Sequence, residues 1–399
     1  MTVLSTLLEF SQTILFYLGI AFLIFINKKK FDKLGTLMYV YRTKWGLALM
    51  ENWGVKHRKL VKFLGYIGVV FGYGGFFVIT YWLGQEAFKI IIQSPMAQGA
   101  SPVLPGLPVP GLGITFPLVV GWISLFIIMV VHEFSHGVVA RAHGIKVKSS
   151  GLAFFGPILG AFVEPDDKEL KSKPYKSQLA VFAAGPFSNI ILWGVFSLIF
   201  LSIYPSNGVA VVVMQNDTMP AYLSDMPQNV TINAINGVDV LTVKKLGKEL
   251  DKYKPGETIN VGTTENSYPI TLASNPDDPN DSYIGIWLRG EDRNFIYDVE
   301  KGSFSDKLVD FITKILIWTS LLSLSIGLMN LFPIFITDGA QMLRANMEYL
   351  FKDDKKKGQK IWANINKVAV VLLIILLIPF FTGIFKVLFS IITGQISLF

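Results

Sequence analysis

From Ile114 to Val131 the chain runs eighteen residues without a charged side chain, then writes His132-Glu133-Phe134-Ser135-His136 into the same apolar segment. A run of that length is enough for a helix to cross the hydrocarbon core of a bilayer. Within lipid only helices and closed barrels leave no backbone group unsatisfied. Ionisable residues inside such a helix are costly and point to function. Residues four apart on a helix share a face, so both imidazoles can reach one metal ion. The glutamate beside the first histidine can take a proton from water. The chain has only four histidines, so the spacing is a specific signal; the alternative is a surface helix that happens to carry these residues.

Composition agrees with a membrane setting. Of 399 residues, 51% are hydrophobic and 16% charged, and the mean hydropathy is +0.48, too apolar for an ordinary soluble domain of this size. There is no cysteine, which excludes disulfides and thiolate metal sites and leaves His, Asp and Glu as ligands. The net charge of +7 sits beside apolar spans, so it reads as membrane orientation rather than nucleic-acid binding.

Six spans are expected, at about Leu4 to Ile26, Phe63 to Leu83, Ile114 to Ala142, Ser177 to Tyr204, Leu308 to Phe332 and Val368 to Ile392. The first has Glu9 and no basic residue before Lys28, unlike a cleaved signal peptide. Lysine and arginine cluster after the first span, after the third and after the fifth, which places those loops in the cytoplasm and both termini outside. Phe31 to Lys62 mixes bases with Tyr39, Tyr41, Trp45 and Trp53. It reads as positive-inside flanking or as an in-plane amphipathic helix. The loop of Pro102, Pro105, Pro108 and Pro110 faces outward on the same rule.

Two segments do not fit the span pattern. Within Ser149 to Asp167 the apolar part, Gly151–Val163, is too short for a span and is interrupted by Gly156, Pro157 and Gly160. It reads as a re-entrant β-hairpin over Gly151–Val163, with an edge in the membrane that needs a partner strand. From Pro205 to Lys301 turn signals return and acidic residues outnumber basic ones. Strands are expected at Thr231 to Ile235, Thr258 to Val261, Tyr268 to Leu272 and Ile284 to Leu288, with a helix at Val243 to Tyr253. This order, with Asn236-Gly237 and Pro255-Gly256 between elements, looks like a PDZ domain placed outside.

A catalytic zinc needs a third ligand. His143 lies seven residues past His136, and Val139 stands where an extended motif requires a glycine turn, so His143 reads as a helix-end residue. His57 reads as a solvated surface residue. Glu164, Asp166 and Asp167 read as the polar return of the hairpin. Asp338, five residues after the break at Pro333, arrives on the same side as His136. Alone it would be read as a helix N-cap; beside a motif lacking a third ligand, it is the better candidate.

Taken together, His132-Glu-Phe-Ser-His136, Asn330-x-x-Pro333-x-x-x-x-Asp338-Gly339, Gly185-Pro186-x-x-Asn189 and the PDZ-like insert resemble the site-2 protease family over about Ile114 to Gly339. The resemblance implies a polytopic α-helical membrane protein with six transmembrane helices, a re-entrant membrane β-hairpin and a PDZ-like α/β insert. In chain order these are an accessory N-terminal region (1–113), a first catalytic-core segment (114–204), the insert (205–301), a second catalytic-core segment (302–350) and a C-terminal transmembrane region (351–399). It further implies Zn2+ held by His132, His136 and Asp338, with Glu133 as general base. Asn330 and Asn189 either contact the substrate backbone, orient a ligand, or make interhelical hydrogen bonds. The expected activity is intramembrane zinc proteolysis of membrane-spanning protein substrates, in a multi-pass cell-membrane protein whose site is nearer the cytoplasmic side. The partners are those substrates and the lipid bilayer, with no nucleic acid. The PDZ-like insert would serve as substrate receptor or as size filter. The competing reading is a transporter or a non-catalytic protein with a structural metal site; a transporter should show repeated halves, and no long internal repeat is present.

Overall fold

The structure, a computed structural model, describes residues 11–34, 38–93, 99–109, 114–155, 158–203, 209–213, 219–227, 229–240, 243–275, 281–288 and 304–393. Two compact units divide the chain, one of Met1–Gly111, Thr115–Ser197 and Phe311–Phe399, the other of Leu112–Ile114 and Leu198–Asp310. The first unit opens with helix α1 (Ser11–Ile26), strands β1 (Asp32–Leu34) and β2 (Met38–Thr43), and helices α2 (Leu47–Lys56) and α3 (Arg58–Ile91). Helix α4 (Leu118–Ala142), strands β3 (Val147–Phe155) and β4 (Ile158–Pro165), the short helix α5 (Asp167–Ser172) and helix α6 (Tyr175–Ile203) follow.

Phe31 to Lys62 is neither a plain flank nor one in-plane helix. Met38-Tyr39-Val40-Tyr41-Arg42-Thr43 is rich in strand-forming side chains and pairs antiparallel with β3, Met38 opposite Phe155 and Thr43 opposite Ser150. Only Leu47–Lys56 is helical before α3, and it leaves Leu49, Trp53 and Val55 exposed. The four strands form one sheet in the order β1-β2-β3-β4. The hairpin is there, with residues 156–157 of its turn outside the described residues. One of its two edges is already filled by the chain's own β2, so β4 is left as the edge strand.

The second unit is a six-stranded sheet of β5 (Val209–Val213), β6 (Asn229–Ile235), β7 (Val238–Asp239), β8 (Thr258–Thr263), β9 (Ser267–Thr271) and β10 (Ile286–Leu288), with helix α7 (Val243–Leu250). The order is β9-β8-β6-β5-β10, with β7 on β6. Asn236 and Gly237, both at positive φ, form the two-residue connection that matches the twist of a tight hairpin. Ile232, Ile235, Ile259, Val261 and Ile270 fill its core with Leu246 of α7. Four of the strands and the helix lie where alternation and turn residues place them; the strands Val209–Val213 and Val238–Asp239 were not expected.

The chain then returns through α8 (Phe304–Leu331), α9 (Asp338–Leu350) and α10 (Lys355–Thr393). Among the described residues five helices are long and apolar enough to cross a membrane: Arg58–Ile91, Leu118–Ala142, Tyr175–Ser202, Leu308–Leu331 and Lys355–Gly383. They leave side chains such as Val70, Phe77, Tyr81 and Phe381 exposed, apolar surface that costs about 1.5–3 kcal/mol per large side chain in water and nothing in lipid. The third span starts at Leu118, behind Pro117, and not at Ile114. Lys355-Lys356-Lys357, expected in a loop, is the first turn of α10. Of the first expected span, Leu4 to Ile26, the described part is α1, an apolar helix of sixteen residues that rises about 24 Å; residues 1–10 lie outside the described residues. Inside the first unit, buried Gly65, Gly68, Gly72 and Gly75 make a small-residue stripe on α3. That stripe lets α3 approach Ala180 and Phe187 of α6, Met342 of α9 and Leu331 of α8.

Candidate metal centre

Helix α4 delivers His132 and His136 to one buried face, as their spacing requires. The end of α8 delivers the third group by a sharp return. After Leu331 the backbone closes short turns, Phe332 N to Met329 O and Thr337 N to Ile334 O. Thr337 then caps α9, its hydroxyl oxygen accepting from Ala340 N and its O–H donating to Phe332 O at 2.6 Å. Asp338 is therefore the first residue of α9 and not its cap, and its carboxylate is released to face the histidines. A side chain at Gly339 would overlap the backbone of Leu331; the glycine allows α9 to start hard against the end of α8.

His132 Nε2 lies 3.1 Å from Asp338 Oδ2, His136 Nε2 3.3 Å from Asp338 Oδ1, and the two Nε2 atoms 3.2 Å from each other. Atoms bound about 2.0–2.1 Å from a tetrahedral zinc stand about 3.3–3.4 Å apart. The separations here are close to that spacing, with the two imidazoles approaching different oxygens of Asp338, and the three residues are the one group that could hold a metal ion among the described residues. His136 Nδ1 donates to Val181 O at 2.7 Å, which leaves Nε2 bare and facing the other donors. His132 Nδ1 lies 3.1 Å from the side-chain amide of Asn189, which is fully buried on α6. The atom facing Nδ1 is the amide nitrogen, while the amide oxygen is buried without a partner; with a metal on Nε2, Nδ1 would carry the proton, and exchanging the two amide atoms would let that oxygen accept it.

Glu133, beside His132 in the chain, reaches the sheet, where its Oε2 accepts from Val163 N at 2.8 Å. That bond fixes the register of the free edge. Residues of an antiparallel pair alternately face the partner strand and face away. Val163 faces away, so Ala161 and Leu159 do too, while Phe162 and Gly160 bond to β3. A cavity of about 580 Å³ lies against this edge. It is lined by Gly160, Ala161 and Val163 of β4, the motif residues, Asn330 and Asp338, with Lys171, Arg344 and Glu348 at its polar end.

The remaining candidates fall as their chemistry suggests. His143 packs its ring edge-on against Tyr66, centroids 5.8 Å apart, and is not in the donor group. Asp166 caps α5, accepting from Lys168 N and Glu169 N. Glu164 accepts from Ser149 Oγ at 2.6 Å and pairs with Arg42 at 3.4 Å; those contacts, the hydroxyl first, hold its carboxyl below the usual range. Asp167 pairs with Lys171 at 3.3 Å and lines the cavity. Two features were not singled out as belonging to the site from sequence. One is Gly185, whose Cα faces the two imidazoles so closely that a Cβ would meet both Nε2 atoms. The other is the backbone N–H of Val163. The Gly-Pro pair was a visible signal for the first; the second carries none, because it is main chain.

The model of peptidase family M50 matches residues 120–376, more than half of the chain. The chain is 35% identical over 170 residues to the uncharacterized protein MJ0971 of Methanocaldococcus jannaschii, covering 42% of this chain and 43% of that protein. It is 26% identical over 225 residues to the zinc metalloprotease RasP of Shouchella clausii, covering 45% of this chain and 53% of RasP. The chain thus spans about half the length of the curated relatives it matches.

Proposed function

Because the chain belongs to peptidase family M50, the site-2 protease family to which its motifs pointed, we propose that it is an intramembrane zinc metalloprotease cutting membrane-spanning protein substrates. The observation that carries this reading is the donor trio of His132, His136 and Asp338, spaced for a tetrahedral ion, with a carboxylate beside it. Zinc bound there would polarise the scissile carbonyl and make a bound water more acidic. Glu133 keeps one carboxylate oxygen on Val163 N, leaving the other to take the proton from the attacking water and to pass it to the departing amine nitrogen. Asn330, on the cavity wall, hydrogen-bonds the substrate backbone. Asn189 is a positioning residue acting through His132.

A substrate helix hides its carbonyls in its own hydrogen bonds, so it has to unwind. In this reading the hairpin is re-entrant and the unwound segment adds to the free edge of β4, whose outward groups at Ala161 satisfy it. Leu4 to Ile26 makes the sixth span, the basic loops lie in the cytoplasm, and the PDZ-like insert lies outside as a receptor or filter.

The test is reconstitution of the full chain with a tagged single-span substrate. Glu133→Gln is expected to lower cleavage at least about 100-fold with metal content unchanged, and chelation is expected to stop it; equal product in wild type, variant and chelated protein refutes the reading. Asn189→Ala leaves the His132 Nδ1 proton unpaired in a buried site. It is expected to weaken zinc affinity by about 10–100-fold, read by competition with a chelating indicator.

A further inference from the structure

Three helix ends of the first unit meet: the start of α3, the end of α4 and the segment leading into α6. At the start of α3, Arg58 Nε donates to Ala142 O at the end of α4, at 2.8 Å. Beyond it His143 is only 5% exposed, and its Nε2 has no hydrogen-bond partner. Lys173, just before α6, reaches the same turn: a Cβ on Gly144 would lie 3.8 Å from Lys173 Nζ. Arg58, Lys62 and Tyr66 occupy one face of α3 at four-residue spacing, and the Tyr66 ring packs on His143.

The charge here is one-sided. Among the described residues Arg58, Lys62 and Lys173 have no carboxylate partner, while the acids of the neighbouring elements are engaged elsewhere, Glu51 with Arg141 and Glu169 with Lys146 N. Burial first, then the charges of Lys62, Arg58 and Lys173, push His143 down to about 4, so it is neutral at pH 7. Cations held together without an acid repel one another, and a buried imidazole nitrogen without a partner is costly. One anion placed among them relieves both. The neighbouring surface of α3 is apolar and exposed at Leu60, Phe63 and Leu64, which suits a ligand carrying acyl chains beneath its charge.

We propose that Arg58, Lys62, His143 and Lys173 form a binding site for the phosphate of an anionic phospholipid headgroup, seated where α3 and α4 leave the membrane. Charge-assisted bonds to phosphate are the strong kind, and basic pockets between helix ends are a recurrent headgroup site. This assignment does not depend on proteolysis.

The full chain is placed in nanodiscs of phosphatidylcholine with and without phosphatidylglycerol, and retained lipid is counted by native mass spectrometry. Wild type is expected to retain phosphatidylglycerol selectively. Lys62→Gln and Lys173→Gln are each expected to weaken retention about tenfold, and Lys62→Arg to preserve it. Lys59→Gln, on an exposed neighbouring cation, should change nothing; a loss equal to that of Lys62→Gln means general surface attraction and overturns the site. Equal retention by wild type and a double variant carrying both Lys62→Gln and Lys173→Gln overturns it as well. Inorganic phosphate added to the phosphatidylglycerol-containing discs is the remaining arm: if it displaces phosphatidylglycerol at equal concentration, the occupant is a soluble phosphate and the lipid assignment fails. Metal content and unfolding midpoint in phosphatidylcholine, expected unchanged in all variants, show that each is folded.

Discussion

Gly185→Ala is expected to remove the metal and reduce cleavage to background. The added methyl would lie 2.5 Å from His132 Nε2 and 2.6 Å from His132 Cε1, and closer still to His136 Nε2. Side chains usually escape such a contact by rotating. These two cannot do so freely, because His136 Nδ1 is tied to Val181 O and His132 Nδ1 to Asn189. Breaking either bond leaves a buried polar group unpaired, at about 1–3 kcal/mol each. Either the rings swing and the donor set opens, or α6 retreats from α4 and takes Asn189 with it. A second glycine on the same helix supplies the control, since a Cβ on Gly194 meets nothing within 4 Å. Gly194→Ala should retain metal and activity, and alanine is the better helix former by about 1 kcal/mol. Metal analysis after exhaustive dialysis, beside the cleavage assay, decides the matter. A Gly185→Ala protein that keeps one zinc per chain would mean the imidazoles are not arranged as described.

The contrast between the two glycines shows where sequence reading stops. Ala183-Ala184-Gly185-Pro186 announces a close helix approach through its small residues, yet nothing in the string says that the approaching atoms are the two ligand nitrogens. The histidine pair itself was legible because its spacing is set within one helix. Asp338 was legible only as a choice between cap and ligand. The deciding fact is local but subtle: Thr337, one residue earlier, takes the capping role. Strands β1 and β2 were lost for the opposite reason. Lys33, Arg42 and Lys44 make the stretch look like a charged flank, and what makes it a strand is pairing with residues over a hundred positions later. Such pairing leaves little local periodicity to read. In the second unit the alternation, the Asn-Gly turn and the Pro-Gly turn all agree with the observed strands, since these signals act over a few residues.

The edge that β2 leaves free sets the last expected result: Ala161→Pro should abolish cleavage of a transmembrane substrate while leaving zinc content intact. Val163 N bonds to Glu133, so the outward-facing donors of β4 fall on alternate residues, and Ala161 is the one that opens onto the cavity. A proline there removes that donor and sets its ring against the path of an incoming strand. It removes no bond of the β3–β4 ladder, which is why proline is tolerated at outward positions of edge strands. An unwound substrate would then keep backbone groups unsatisfied in an apolar setting, at several kcal/mol, corresponding to a loss of about 100-fold or more. Two companions separate this from simple damage. Ala161→Val keeps the N–H and should cut nearly as wild type does. Phe162→Pro removes an inward donor, breaks the ladder and should lower the unfolding temperature, which Ala161→Pro should not. Cleavage by Ala161→Pro at the wild-type rate would mean that the substrate is held by something other than this strand, and the cavity's polar end at Lys171, Arg344 and Glu348 would become the next place to look.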